Sequence, residues 1–116
     1  MVARGYVPET GDLVWLDFDP QAGREQAGRR PAIVLSPAVY NERSSLAIVC
    51  PITSRVKGYP FEVALPKGLA LAGVILADHL KSLDWRARRA EKAGDAPKQV
   101  IEDIGDKLSP LLGLSR

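Results

Sequence analysis

Side chains suited to phosphate chemistry are concentrated in two short stretches, GREQAGRRPAIVLS at 23–36 and PITS at 51–54. Glu25, Arg29 and Arg30 lie on a loop framed by Gly23 and Gly28, and Pro31 leads from it into the apolar run AIVLS. Thr53 closes the run LAIVCPIT. A guanidinium fork gives two parallel charge-assisted bonds to a phosphate. A carboxylate can act as general base. A threonine hydroxyl on a rigid strand end can donate to a developing oxyanion. Together these groups fit a reaction in which RNA supplies its own nucleophile. The 2′-OH attacks the neighbouring phosphate, and a 2′,3′-cyclic phosphate and a free 5′-OH result, with no metal required. Glu25, Arg30 and Thr53 are therefore the candidate catalytic residues. A guanidinium does not give up its proton in proteins, so Arg30 suits charge stabilisation rather than proton transfer.

Other chemistries are excluded by what the chain lacks. It has one histidine, His79, and one cysteine, Cys50. That rules out a two-histidine acid–base pair within one chain and a Cys/His zinc site, which needs about four such ligands. There is no P-loop ending in Lys-Ser/Thr and no G-x-S-x-G nucleophile elbow. No metal or other cofactor is expected.

Several further residues are candidates for holding a nucleic acid. Arg29 can touch a phosphate backbone, and Gln26 can read a base edge or brace its loop. Lys57, in KGYP, suits a phosphate if loops 19–29 and 54–60 share a mouth. Trp15 can stack on a base or on a partner's side chain. Arg86, with Arg88 and Arg89, forms a basic rim that would steer an anionic partner. Each has a plainer reading: Arg30 pairs with a carboxylate such as Asp17, Thr53 is an ordinary strand residue, Trp15 and Trp85 are core, and the arginines are solvated surface. His79 reads as a lone structural or surface histidine.

The elements that must position these groups can be read from pattern. The 116 residues imply one domain, 1–116. Residues 13–18 alternate as a strand, with Val14, Leu16 and Phe18 on one face and Leu13, Trp15 and Asp17 on the other. Residues 32–36, 46–53, 61–65, 73–78 and 80–83 read as further strands, and Pro51 argues for an edge or a bulge. Ser36-Pro37 begins a turn or short helical turn through Tyr40. Asp95 is a candidate N-cap, and Val100, Ile101, Ile104 and Leu108 recur at helical spacing, with Pro110 set to kink or end the helix. Glu102, Asp103 and Asp106 would face water, and Leu111, Leu112 and Leu114 would form a final docked turn. Five to six short strands and a C-terminal amphipathic helix predict an all-β or α+β domain built on a small closed or half-closed β-barrel.

Net charge is only +2 but unevenly spread. Segments 23–30, 54–60 and 81–92 are basic, while residues 1–22 are acidic. Brought together, the basic segments would make an anion-attracting face. Residues 1–10 lack the apolar stretch of a signal peptide, no run reaches the ~20 residues of a membrane span, and the single cysteine fits a reducing cytoplasm.

At this point the sequence resembles a known family. YVPETGDLVWLDFDP at 6–20, GREQAGRRPAIVLSPAVYN at 23–41, PITS at 51–54, KGYPFEV at 57–63 and LADHLKSLDWRAR at 76–88 are similar to the MazF/PemK toxin endoribonucleases over nearly the whole chain. The resemblance implies an SH3-like barrel with a C-terminal helix, a homodimer, and metal-independent, sequence-specific cleavage of single-stranded RNA, chiefly messenger RNA. It implies a MazE-type antitoxin whose acidic C-terminal segment covers the active groove. The family's essential arginine matches Arg30, its threonine Thr53 and its loop glutamate Glu25. An aspartate that takes part in PemK-type relatives matches Asp78. The arginine two residues before it in those relatives is Leu76 here, which argues against the PemK-style role and leaves Asp78 among the substrate contacts. Two competing readings stand beside this one: a non-catalytic CcdB-like toxin that poisons a topoisomerase, and an SH3-like nucleic-acid-binding module. Neither has a use for the trio Glu25, Arg30 and Thr53.

Overall fold

In the computed structural model, residues 5–18 and 28–114 are described. Their alternating apolar residues fold into one antiparallel sheet whose centre is buried on both faces. Strand β1 spans Asp12–Asp17, β2 Arg29–Val34 and β3 Leu46–Thr53. Leu13, Ile33, Cys50 and Ile52 point to one side and join a core with Val63, Ile75, Val100 and Ile104. Val14, Leu16, Ala32, Val34, Ala47 and Val49 point to the other and pack on Leu83 and Trp85. Successive strand residues face opposite ways, so continuous apolar runs such as AIVL are what a sheet covered on both faces requires. Cys50 is wholly buried, and that burial, with Asp78's charge second, pushes its thiol up to about 12.

The remaining elements cover these faces. Helix α1 (Ala38–Ser44) links β2 to β3, β4 is Glu62–Ala64, β5 Val74–Leu76, β6 Lys81–Asp84, β7 Glu91–Asp95, and helix α2 Lys98–Leu111. The pairing order is β4-β5-β3-β2-β1-β7, with β6 also against β3. The outer edge of β3 is shared: β6 pairs with residues 46–49 and β5 with Ile52 and Thr53. Pro51 sits between the two, where its missing N–H costs no ladder bond. The sheet does not close on itself, so a closed barrel is not what the pairing makes. Among the described residues it is an antiparallel sheet of seven strands with a C-terminal helix.

Three expectations need correction. The seventh strand, β7, is unforeseen because EKAGD carries no apolar alternation. It is a mostly exposed strand whose place is fixed by pairing with β1. Asp95 ends that strand, and Pro97 takes the N-cap position of α2 without a side-chain cap bond. Helix α2 does end one residue past Pro110, but Leu111, Leu112 and Leu114 are exposed rather than docked. No helix among the described residues is long and apolar enough to cross a membrane.

Candidate active site

The site forms where β2 and β3 part. Leu35 N–H donates to the Ile48 carbonyl at 2.8 Å. That fixes the parity of the ladder: Ile33 and Cys50 form the next hydrogen-bonded pair, and Pro31 and Ile52 would form the one after. Pro31 has no N–H to give, so the ladder thins there. The last registered pair is Ala32 with Pro51, and the same register carried on by two residues sets Arg30 opposite Thr53. Alternation sends both side chains toward the face that carries Ala32, Val34 and Val49 deeper in the sheet. Arg30 and Thr53 line one groove of about 860 Å³ together with Trp15, Phe18, Arg55 and Lys81.

The two neighbouring arginines have opposite fates. Arg30 is exposed and has no hydrogen-bonding or ionic partner among the described residues. Arg29 is fully engaged. It donates to Asp17 Oδ1 at 3.1 Å, the Trp15 carbonyl at 3.3 Å, the Arg89 carbonyl at 2.9 Å and Glu91 Oε1 at 3.4 Å. Arg89 Nε meets Asp17 Oδ2 at 2.8 Å. Hydrogen bonds from Arg89 first, then Arg29, hold the Asp17 carboxyl below its ordinary value of 3.8 although the side chain is nearly out of solvent. Arg88 donates to the carbonyls of Asp17 and Phe18 at 3.1 and 2.6 Å. Arg29, Arg88 and Arg89 are thus engaged within the fold, whereas the sequence suggests an RNA-backbone contact and a basic rim. These ion pairs fix the root of β2, and with it the start of Arg30.

Thr53 is held from the other side. Its Oγ1 accepts the Arg55 N–H at 3.1 Å. A hydroxyl has one proton to give, and none of the described residues accepts it. A second hollow of about 150 Å³ adjoins, lined by Thr53, Arg55, Lys57, Phe61, Asp78 and His79. Lys57 and Asp78 thus reach Thr53 from the side away from Arg30. The Glu62 carboxylate accepts the N–H groups of Lys57 and Gly58, each at 3.0 Å, which orders the basic loop. His79 lies exposed beside Asp78, with Nε2 3.8 Å from Oδ1.

Not every predicted residue joins this cluster. Arg86 stacks on Trp85, 4.3 Å from the ring centroid, and donates to Ser45 Oγ at 2.6 Å. Ser45 precedes β3 and Thr53 ends it, so Arg86 is anchored at the opposite end of a strand that spans roughly 26 Å. Glu25 and Gln26 fall outside the described residues. The flanks of their segment are joined at the groove: Phe18 N–H donates to the Gly28 carbonyl at 3.1 Å. Arg55, Phe18 and Lys81 belong to the site and were not singled out in the sequence. Arg55 sits two residues past a strand end already marked, which was the available signal. Among the described residues, no group of three or more His, Cys, Asp or Glu side chains is placed to hold a metal ion.

Comparison with known proteins adds to this geometry. A model of the family described as PemK-like, MazF-like toxin of type II toxin–antitoxin system matches residues 9–112. The Escherichia coli K12 endoribonuclease toxin MazF is 50% identical over 113 residues, covering 97% of this chain and 100% of that protein. Escherichia coli endoribonuclease PemK is 31% identical, covering 97% and 87%. Among solved structures, a MazE–MazF complex from Deinococcus radiodurans aligns with TM-score 0.86 at 55% identity, over 96% of this chain and 100% of that one. MazF alone from the same organism aligns with TM-score 0.85 at 60% identity, over 94% and 99%.

Proposed function

Because the chain belongs to the PemK-like, MazF-like toxins of type II toxin–antitoxin systems, we propose that its endoribonuclease activity runs through the groove between Arg30 and Thr53. The protein is an endoribonuclease toxin of the MazF kind, and its partner is a MazE-type antitoxin. Single-stranded RNA enters the groove and places one phosphate between the Arg30 guanidinium and the Thr53 hydroxyl. The 2′ oxygen bonds to phosphorus as the bond to the 5′ oxygen breaks. The 2′ proton passes to a base, for which Glu25 is the candidate, and the departing 5′ oxygen takes up a proton. Arg30 and Thr53 stabilise charge on the non-bridging oxygens, where fixed donors act most strongly. Trp15, 36% exposed, offers a face for base stacking, while Lys57, Lys81 and Arg55 attract the flanking phosphates. Asp78 and Gln26 are candidates for base contacts. The products are a 2′,3′-cyclic phosphate and a 5′-OH, formed without a metal.

The observation that supports this reading is the contrast between two adjacent arginines, Arg29 tied to Asp17 and Arg30 exposed in the groove opposite Thr53 with no partner among the described residues. We further propose that residues 1–116 act as one toxin domain and that two copies form a homodimer. We read the strand arrangement as SH3-like, with the sheet left open. The acidic tail of the antitoxin would cover the same groove, and RNA as substrate fits action in the cytoplasm. No observation favours the topoisomerase-binding alternative, and the endoribonuclease relatives argue against it.

The test is a comparison of Arg30→Ala with wild type. We expect kcat to fall by about 10² to 10³-fold and Tm to stay within the usual range of surface changes, since Arg30 is exposed and pairs with none of the described residues. Cleavage at wild-type rate by a folded Arg30→Ala protein would contradict the assignment.

A further inference from the structure

One backbone contact bears directly on Thr53. Gly73 has φ +123, a conformation that residues with a side chain rarely adopt. A Cβ at this position would stand 2.3 Å from the Thr53 carbonyl oxygen and 2.9 Å from its carbonyl carbon. It would also meet Ser54 Cα at 3.4 Å. Real Cβ atoms essentially never approach closer than 3.0 Å, so either the Thr53–Ser54 peptide or residue 73 would have to move by about 0.7 Å or more. Gly68 and Gly58 also have positive φ, +91 and +81, yet nothing lies within 4 Å of a Cβ built on either. The close approach is therefore specific to Gly73 among these turn glycines.

The surroundings give the contact its consequence. The Gly73 carbonyl accepts the Leu65 N–H at 3.0 Å, which ties the glycine to the end of β4. The next residue, Val74, pairs with Thr53 across β5 and β3. The residues just before it, Ala70, Leu71 and Ala72, wall the groove that Arg30 and Thr53 share. Gly73 thus stands where that wall turns into β5, with its backbone pressed on the peptide of the groove's hydroxyl residue. We propose that Gly73 is a positioning residue for Thr53: its missing side chain lets the wall close on the Thr53–Ser54 peptide and sets where the hydroxyl sits. Reacting groups must be held within about 0.5 Å of their productive place. Taken up by the Thr53–Ser54 peptide, the displacement a methyl group would force exceeds that tolerance.

The inference rests on the catalytic reading of Thr53, and the test separates the two. Four variants of the full chain are compared with wild type on an RNA oligonucleotide carrying one mapped cut: Gly73→Ala, Gly68→Ala, Thr53→Ala, and Gly73→Ala combined with Thr53→Ala. Folding is checked by circular dichroism and Tm, and kcat and KM are measured separately. Gly73→Ala is expected to lose about 10²-fold in kcat, the cost of an ~1 Å misplacement, with KM within about twofold. Gly68→Ala imposes the same kind of backbone strain in open space, so it is expected to lower Tm and leave kcat unchanged. The double variant is expected to be no slower than Thr53→Ala alone, because Gly73 acts through that hydroxyl.

A folded Gly73→Ala protein with wild-type kcat overturns the inference while leaving Thr53 in place, provided Thr53→Ala is slow. Losses that multiply in the double variant also overturn it, since Gly73 would then act elsewhere. A Gly73→Ala chain that does not fold overturns it in favour of a role in the whole sheet. Wild-type kcat in Thr53→Ala sinks the reading beneath the inference, and the inference with it.

Discussion

Asp17 shows how one side chain decides the use of its neighbours. It sits across from Arg29 in the β1–β2 register, while Arg30 sits across from Leu16. The carboxylate therefore captures Arg29 and Arg89 and leaves Arg30 for the groove. Its folded pKa is lowered, so its stabilisation is complete above the ordinary value of 3.8 and is lost as pH falls below that through the folded value. Asp17→Asn leaves two guanidiniums together without a countercharge. We expect that variant to have a lower Tm at pH 7 and a flatter fall in Tm between pH 4 and pH 2, read by a thermal melt at each pH. An unchanged Tm at pH 7 would contradict the role of the ion pairs. The sequence marks both arginines and names Asp17 as a possible partner, but it attaches that partner to Arg30. Which arginine faces the carboxylate depends on the register of β1 on β2, and a slip of one residue exchanges them.

At the scale of elements, two prolines and one asparagine do much of the positioning. Pro31 thins the β2–β3 ladder beside the site, and Pro51 marks the hand-over of β3's outer edge from β6 to β5. Both are legible in the sequence as residues that cannot donate. Asn41 is not legible in that way, since α1 reads only as a short helical turn. It is fully buried, and its Nδ2 donates to the carbonyls of Pro8 at 2.8 Å and Ser36 at 3.0 Å. Its own carbonyl accepts the Trp85 indole N–H at 2.9 Å. The helix thereby joins the N-terminal segment, the end of β2 and the second core. Asn41→Ala would leave two buried carbonyls and the Ser36 hydroxyl short of a partner, at about 1–3 kcal/mol each. We expect a loss of about 3 kcal/mol, or roughly 10 °C in Tm, with kcat at 25 °C little changed in the folded protein. A Tm within 2 °C of wild type would show that the buried amide is not holding these elements. Strand β7 escapes sequence reading for a different reason: EKAGD has neither alternation nor β propensity, and only its pairing with β1 makes it a strand.

Across the whole molecule, the basic segments divide between structure and chemistry. The formal charge is +2, too small to mark a nucleic-acid face by itself. Arg30, Arg55, Lys57 and Lys81 line the two adjoining hollows around Thr53. Arg29, Arg88 and Arg89 are spent on Asp17 and on backbone carbonyls, and Arg86 on Trp85. The strand pattern and the central core are legible from residue types and spacing, whereas the candidate trio Glu25, Arg30 and Thr53 leans on the family resemblance as well. The division of the arginines is not legible, because it depends on which loop ends meet in space. The family membership and the groove converge on one reaction, and its chemistry leaves a signature in the products. The measurement that tests it most directly is cleavage of a long, poorly structured RNA by the antitoxin-free protein in excess EDTA, with the product ends mapped. We expect cuts at a short recurring motif, each leaving a 2′,3′-cyclic phosphate and a 5′-OH. Folded protein that leaves the RNA intact in EDTA and cuts only when a divalent metal is restored, giving 5′-phosphate ends, would contradict it.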